Sequence, residues 1–178
     1  MLEMDLKVLA DQAALRWQDN WNFRAYLKKE VDPHLVDVTV HSLNKQISAS
    51  IDCTKCANCC RQIQPHLTDI EVKRIASRLN LSAEALLAKE LKSDGQGEHV
   101  FKAKPCPMLQ GTQCGIYQDR PEDCASYPHL QHPDFLDRSI MFIENYRVCP
   151  IVFNVYEALK TKFSYDPAMD YIGDEEQE

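Results

Sequence analysis

The chain has 178 residues, eight of them cysteine, and its 27 acidic against 20 basic side chains give a net charge of −7. That balance argues against a nucleic-acid surface, which needs a basic face; Lys28, Lys29, Arg61, Lys102 and Lys104 are scattered and read as solvated surface. Eight cysteines in 178 residues fall short of the about 8–10% that marks a small disulfide scaffold, and a chain of this length buries about two-thirds of its unfolded surface without cross-links.

The segment Met1-Leu2-Glu3-Met4-Asp5 carries acids where a secretory signal needs basic residues. Charges interrupt every hydrophobic run well before the roughly 20 apolar residues of a membrane span. The expectation is a cytoplasmic protein with no membrane partner, in which reduced thiols bind metal or do redox chemistry rather than pair. Residues 1–172 read as one domain, mainly α, with an irregular cysteine-rich metal-binding core and room for one short hairpin. The acidic end 173–178 has no apolar residues to bury and reads as a disordered tail.

From Asp5 to Lys29, apolar residues at Leu6, Leu9, Ala13, Trp17, Trp21 and Leu27 recur at helical spacing and predict a helix or helix pair, with the tryptophans as core anchors. Asp32-Pro33 reads as an N-cap followed by proline at the first helical position, and Val36, Val40, Leu43 and Ile47 continue one apolar face toward Cys53. His34 and His41 lie along that helix as ordinary surface or core residues.

Four cysteines then crowd one run, Cys53-Thr54-Lys55-Cys56-Ala57-Asn58-Cys59-Cys60. Thiolates at C-x₂-C spacing can converge on one soft cation within a tight loop. A structural zinc site normally combines two such knuckles well apart, whereas Cys53, Cys56 and Cys59 match the spacing of a ferredoxin-like run. Cys60 departs from it, because adjacent side chains on a regular backbone point in different directions; the expectation is that one of Cys59 and Cys60 serves a second centre.

Thr68-Asp69-Ile70-Glu71 has the spacing of a capping box, with Ile75 and Leu79 on the buried face and Asn80 as the stop. Ser82 caps a further short helix through Ala85, Leu86 and Leu91, which Ser93-Asp94-Gly95-Gln96-Gly97 ends as a flexible loop. From Val100 to Pro128 prolines and glycines gather around Cys106, Cys114 and Cys124, predicting irregular structure shaped by metal ligation. A short hairpin could carry Cys106 and Cys114. Asp119-Arg120-Pro121-Glu122-Asp123-Cys124 reads as a helical turn with its acids at the favourable end. The segment from Asp137 to Lys162 predicts two helices broken near Cys149-Pro150. Cys149 has two readings, a ligand or a small apolar residue in an apolar flank.

These motifs together resemble the YkgJ-type cysteine-cluster family, known for a zinc- or iron-chelating CxxCxxCC domain. The resemblance rests on Cys53 to Cys60, Leu67-Thr68 with Glu71 and Ile75-Ala76, and Pro105-Cys106-Pro107-Met108-Leu109. It continues through Cys114-Gly115-Ile116-Tyr117, Arg120-Pro121-Glu122-Asp123-Cys124 and Tyr127-Pro128. It implies a cysteine-bound zinc ion or iron–sulfur cluster drawing on Cys53, Cys56, Cys59, Cys60, Cys106, Cys114, Cys124 and Cys149, with Tyr117 and Arg120 as framework residues orienting the ligand loops. Ala125 stands where such sequences often carry arginine.

A flagellin lysine methylase has a similar cysteine run and an iron–sulfur cluster, so the resemblance also admits a redox or protein-modifying enzyme. The chain lacks the Gly-rich strand-to-helix turn that cradles an adenosyl cofactor, and methyl transfer is not carried over. Zinc storage or delivery is a third reading. His66, His129 and His132 lie near the cysteine segments, where their flanking prolines suit simple loop placement.

Overall fold

The computed structural model describes residues 2–172; the tail expected at 173–178 lies outside the described residues. The fold is mainly α with a few short strands. It divides into two compact units, one of Met1–Ile51 with Pro128–Glu178 and the other of Asp52–Tyr127.

The first unit opens with α1 (Leu6–Leu15), where the Asp5 carboxylate accepts from the backbone N–H of Lys7 and Val8. The helix breaks at Arg16, and α2 (Trp17–Glu30) follows. That break corrects the expectation for the tryptophans. Of the stripe read across Arg16, Leu9, Ala13 and Leu27 are buried, but Trp17 is 48% exposed and Trp21 only half-buried, while Phe23 and Ala25 face the core. Asp32 caps α3 (Pro33–Ser48) by accepting from Leu35 N at 3.0 Å, with Pro33 in the first turn.

The second unit begins with two single helical turns, α4 (Cys53–Cys56) and α5 (Asn58–Gln62), joined through Ala57 in the left-handed region at φ 52°. Strand β1 (His66–Leu67) leads into α6 (Asp69–Arg78), whose capping box is complete: Thr68 accepts from Glu71 N, and the Glu71 carboxylate accepts from Thr68 N. Asn80, at φ 56°, ends the helix. Ser82 caps α7 (Ala83–Glu90).

The segment expected as a flexible loop is instead the turn of a hairpin joining β2 (Leu91–Ser93) to β3 (His99–Phe101). Asp94 Oδ1 organises it by accepting from the backbone N–H of Gln96 and Glu98. With β1 these strands form an antiparallel sheet of order β1-β3-β2, pairing Leu67 with His99 and Leu91 with Phe101. A two-stranded hairpin follows, β4 (Leu109–Gln110) and β5 (Gln113–Cys114), turned by Gly111 at φ 64°. A 3₁₀ turn at Tyr117–Asp119 and α8 (Glu122–Ser126) complete the unit. Its core is small: Leu67, Val72, Ile75, Ala76, Leu86, Leu91, Phe101 and Ile116, with Cys106, Met108 and Cys114 packed against it.

The chain then returns to the first unit with α9 (Ser139–Asn145) and α10 (Pro150–Lys162), broken as expected at Cys149-Pro150. Helix α10 packs on α1, α3 and α9 and buries residues around its circumference, the pattern of a central core helix. Aromatic rings hold this unit: Phe23 meets Tyr156 edge-on at 5.3 Å, Tyr146 meets Phe153 at 4.6 Å, and Phe135 stacks on Phe142 at 4.7 Å. The buried Lys160 ammonium is compensated by Asp19 at 2.5 Å and the Asn20 amide oxygen at 2.6 Å.

Candidate metal centre

Seven of the eight cysteines lie in the second unit; Cys149 lies in the first. All eight are present as thiols. Cys149 is 5% exposed and precedes the first residue of α10. Cys53 is exposed, and Cys56, Cys59, Cys60, Cys106, Cys114 and Cys124 are half-buried.

The local fold explains how the upstream run is aimed. Asp52 caps α4 by accepting from Thr54 N at 3.0 Å. Ala57 then takes up the left-handed conformation, which costs an L-residue about 1–2 kcal/mol, and its 4%-exposed methyl is held in place by burial. This kink restarts the helix so that Cys59 Sγ and Cys60 Sγ come within 4.0 Å. Adjacent cysteines diverge on a regular backbone, and a one-turn helix entered through a left-handed residue is not one. At a metal–sulfur bond of about 2.3 Å, thiolates of a tetrahedral site stand about 3.8 Å apart, so both sulfurs are close enough to ligate one ion.

Three framework contacts join the segments that carry the downstream thiols. Cys106 N donates to Cys60 O at 2.8 Å, laying the Cys106 loop directly on the upstream run. Arg61, which the sequence offers only as a surface charge, donates to Cys56 O at 2.8 Å and to Gly111 O at 3.2 Å, pinning α4 to the β4–β5 turn. Glu71 accepts from Glu122 N at 2.7 Å while completing its own capping box, so one carboxylate starts both α6 and α8, the helix of Cys124. Burial opposes ionisation of Glu71, but the donors from Glu122 and Thr68 outweigh it and hold the carboxyl below its usual range. Arg120 lies 3.9 Å above the Tyr117 ring and donates to Tyr117 O at 2.7 Å, and Arg74 donates to Arg120 O at 3.0 Å. These two framework residues brace the approach to α8.

The electrostatics single out Cys60. Its thiol is lowered to about 6, chiefly by the hydrogen bond from Cys59 and further by the Arg61 charge, against an opposing effect of burial. The others move the opposite way. Burial pushes Cys106 up to about 11, and the nearby Cys60 and Cys114 add to it. Burial likewise raises Cys114, with Cys60 contributing. Cys124 is raised furthest, by burial first and then by Cys106, Cys60 and Cys114. Cys60 thus bears electrostatically on Cys106, Cys114 and Cys124. Cys53, although solvent-exposed, is raised by partial desolvation and then by Cys56 and Asp52, its neighbours on and before α4. A concentration of thiols whose ionisation is mutually opposed is the donor set that a soft cation stabilises, and the residues fit a zinc ion or an iron–sulfur cluster.

The histidines separate. His129 and His132 stack on each other at 5.9 Å in the first unit, and the His132 carbonyl faces His41 Nε2 at 3.1 Å. His66 lies in the second unit, with Nδ1 3.2 Å from Asp94 Oδ2 and 3.6 Å from Glu98 Oε2. Sequence reading placed Asp94 only in a loop and did not name Glu98. The signal for their meeting with His66 is the Asp94-Gly95 and Gly97 punctuation between Leu91 and Val100-Phe101, which marks a hairpin turn.

Residues 52–150 match the model of the CxxCxxCC family, described as a "putative zinc- or iron-chelating domain". No curated protein and no solved structure matches the chain. Among the described residues no helix is long and apolar enough to cross a membrane.

Proposed function

Because the chain belongs to the CxxCxxCC family of zinc- or iron-chelating domains, we propose that its second unit holds one zinc ion or iron–sulfur cluster, with Cys60, Cys106, Cys114 and Cys124 as the primary ligands. The observation that carries this reading is the gathering of seven of the eight cysteines in one unit, where Cys106 N donates to Cys60 O at 2.8 Å, and the influence of Cys60 on Cys106, Cys114 and Cys124 agrees with it. Cys60 supplies the first thiolate. Its neighbours ionise as the cation arrives, so uptake releases protons and affinity falls as pH falls. Cys59, 4.0 Å from Cys60, together with Cys53 and Cys56 of α4, completes a cluster or shields a single ion. Cys149, buried in the first unit, acts as a packing residue in this scheme.

Serine substitution tests the assignment, since a hydroxyl stays protonated where a thiol ionises to bind a soft metal. Metal analysis of anaerobically purified Cys60→Ser and Cys124→Ser variants should show the largest losses, with Cys53→Ser smaller and Cys149→Ser unchanged. Full metal content in both Cys60→Ser and Cys124→Ser sinks the ligand set. In the parent protein, iron with matching sulfide and a broad visible charge-transfer band identifies a cluster; colourless protein with stoichiometric zinc identifies the ion.

A further inference from the structure

The antiparallel pairing of β1 with β3 sets His66 beside the β2–β3 turn, and three side chains distant in sequence converge there. His66 Nδ1, a carboxylate oxygen of Asp94 and one of Glu98 all lie within 4.8 Å of one another. Two of these separations are 3.2 Å and 3.6 Å. Ligands bound at about 2.0–2.2 Å in tetrahedral or octahedral geometry stand about 2.8–3.6 Å apart, so both separations from the imidazole already match ligand spacing.

The three groups are held unequally. Asp94 has a side chain 9% exposed, and its Oδ1 is occupied by the N–H groups of Gln96 and Glu98, which leaves Oδ2 turned to His66. The backbone of His66 is fixed from the other side, its N–H donating to Asp123 Oδ2 at 3.0 Å. The Glu98 side chain is 46% exposed and the His66 ring 54%, so the third donor and the imidazole border solvent. One imidazole with two carboxylates suits a first-row divalent cation of intermediate hardness, unlike the soft ions that thiolates select.

We propose that His66, Asp94 and Glu98 form a second divalent-cation site, binding through Nδ1 and two carboxylate oxygens and leaving the solvent-facing positions to exchangeable water. Binding uses the Nδ1 lone pair, so in the loaded site the imidazole carries its proton on Nε2. None of its donors is a thiol, so its donor set is chemically distinct from that of the cysteine centre.

The test uses the full chain with its cysteine centre loaded. Mn²⁺, which thiolates bind poorly, is titrated with the electron paramagnetic resonance of the free ion as readout; Zn²⁺ is added separately and counted by metal analysis after dialysis. One added equivalent per chain is expected. It should weaken by at least about tenfold in Glu98→Gln and in His66→Ala, with cysteine-bound metal and circular dichroism unchanged. Glu98, half in solvent, gives a variant that folds. Absence of a saturable added equivalent of either ion overturns the proposal, as does an equivalent that neither substitution weakens.

Discussion

The two units bury different things. The first closes around aromatic and aliphatic side chains, with Phe23, Phe135, Phe142, Tyr146 and Tyr156 all fully buried and α10 enclosed by other helices. The second has a modest apolar cluster between α6, α7 and the small sheet, and beyond it single helical turns, two-residue strands and seven thiols. Elements that short cannot stand on hydrogen bonding alone, since a helical turn or an isolated hairpin is marginal in water. The comparison assigns the folding energy of the first unit to apolar burial and that of the cysteine segments to cross-links supplied by a ligand.

Metal removal should expose that difference most strongly. Anaerobic chelation is expected to strip amide protection from residues 100–128 and the Cys53–Cys60 run while the α2, α3 and α10 amides keep theirs. Protection unchanged across 100–128 breaks the comparison, because Phe101 and Ile116 would then suffice to hold their segments. The converse perturbation is Phe142→Ala, which empties a fully buried site stacked against Phe135. It should cost about 3–5 kcal/mol by denaturant titration and leave metal content at the parent level. A variant that loses its metal while still folded contradicts the division.

The parts of the fold legible in sequence are those decided within a few residues. Asp32-Pro33, the Thr68–Glu71 capping box, Ser82 and the Cys149-Pro150 break each act on their own backbone, and each helix starts where its cap predicts. The three-stranded sheet was not legible, because strands of two or three residues are too short to display an alternating pattern. The tryptophans misled for a related reason: the helix is interrupted at Arg16, and spacing alone does not show which side of the next turn faces the core. At the site, the identity of the thiols was plain, but which sulfurs meet depends on the left-handed Ala57 and on Cys106 pairing with the Cys60 carbonyl, neither of which leaves a mark in composition. Arg61 and Glu71 likewise show their bridging roles only through partners distant in the chain, Gly111 and Glu122.

Glu71 offers a smaller perturbation that sharpens the contrast, because it couples an apolar helix of the second unit to the helix of Cys124. Its carboxylate serves α6 through Thr68 and α8 through Glu122, and hydrogen bonds to a charged acceptor are worth about 1.5–3 kcal/mol. Glu71→Gln keeps an amide oxygen for one of these donors but removes the charge, so a loss of about 1–2 kcal/mol is expected. The pH dependence has a definite sign. The folded-state pKa of Glu71 lies below its unfolded value near 4.5, so its stabilisation is complete above that value and is lost as pH falls through the folded pKa. The stability gap between parent and Glu71→Gln should therefore be widest near neutrality and narrow on acidification below about pH 4.5. Taking the difference between the two proteins removes the acid sensitivity that both share through their thiolates. A gap that stays constant with pH means that shape rather than charge starts α8, and Cys124 is then positioned by the packing of Arg120 on Tyr117 instead.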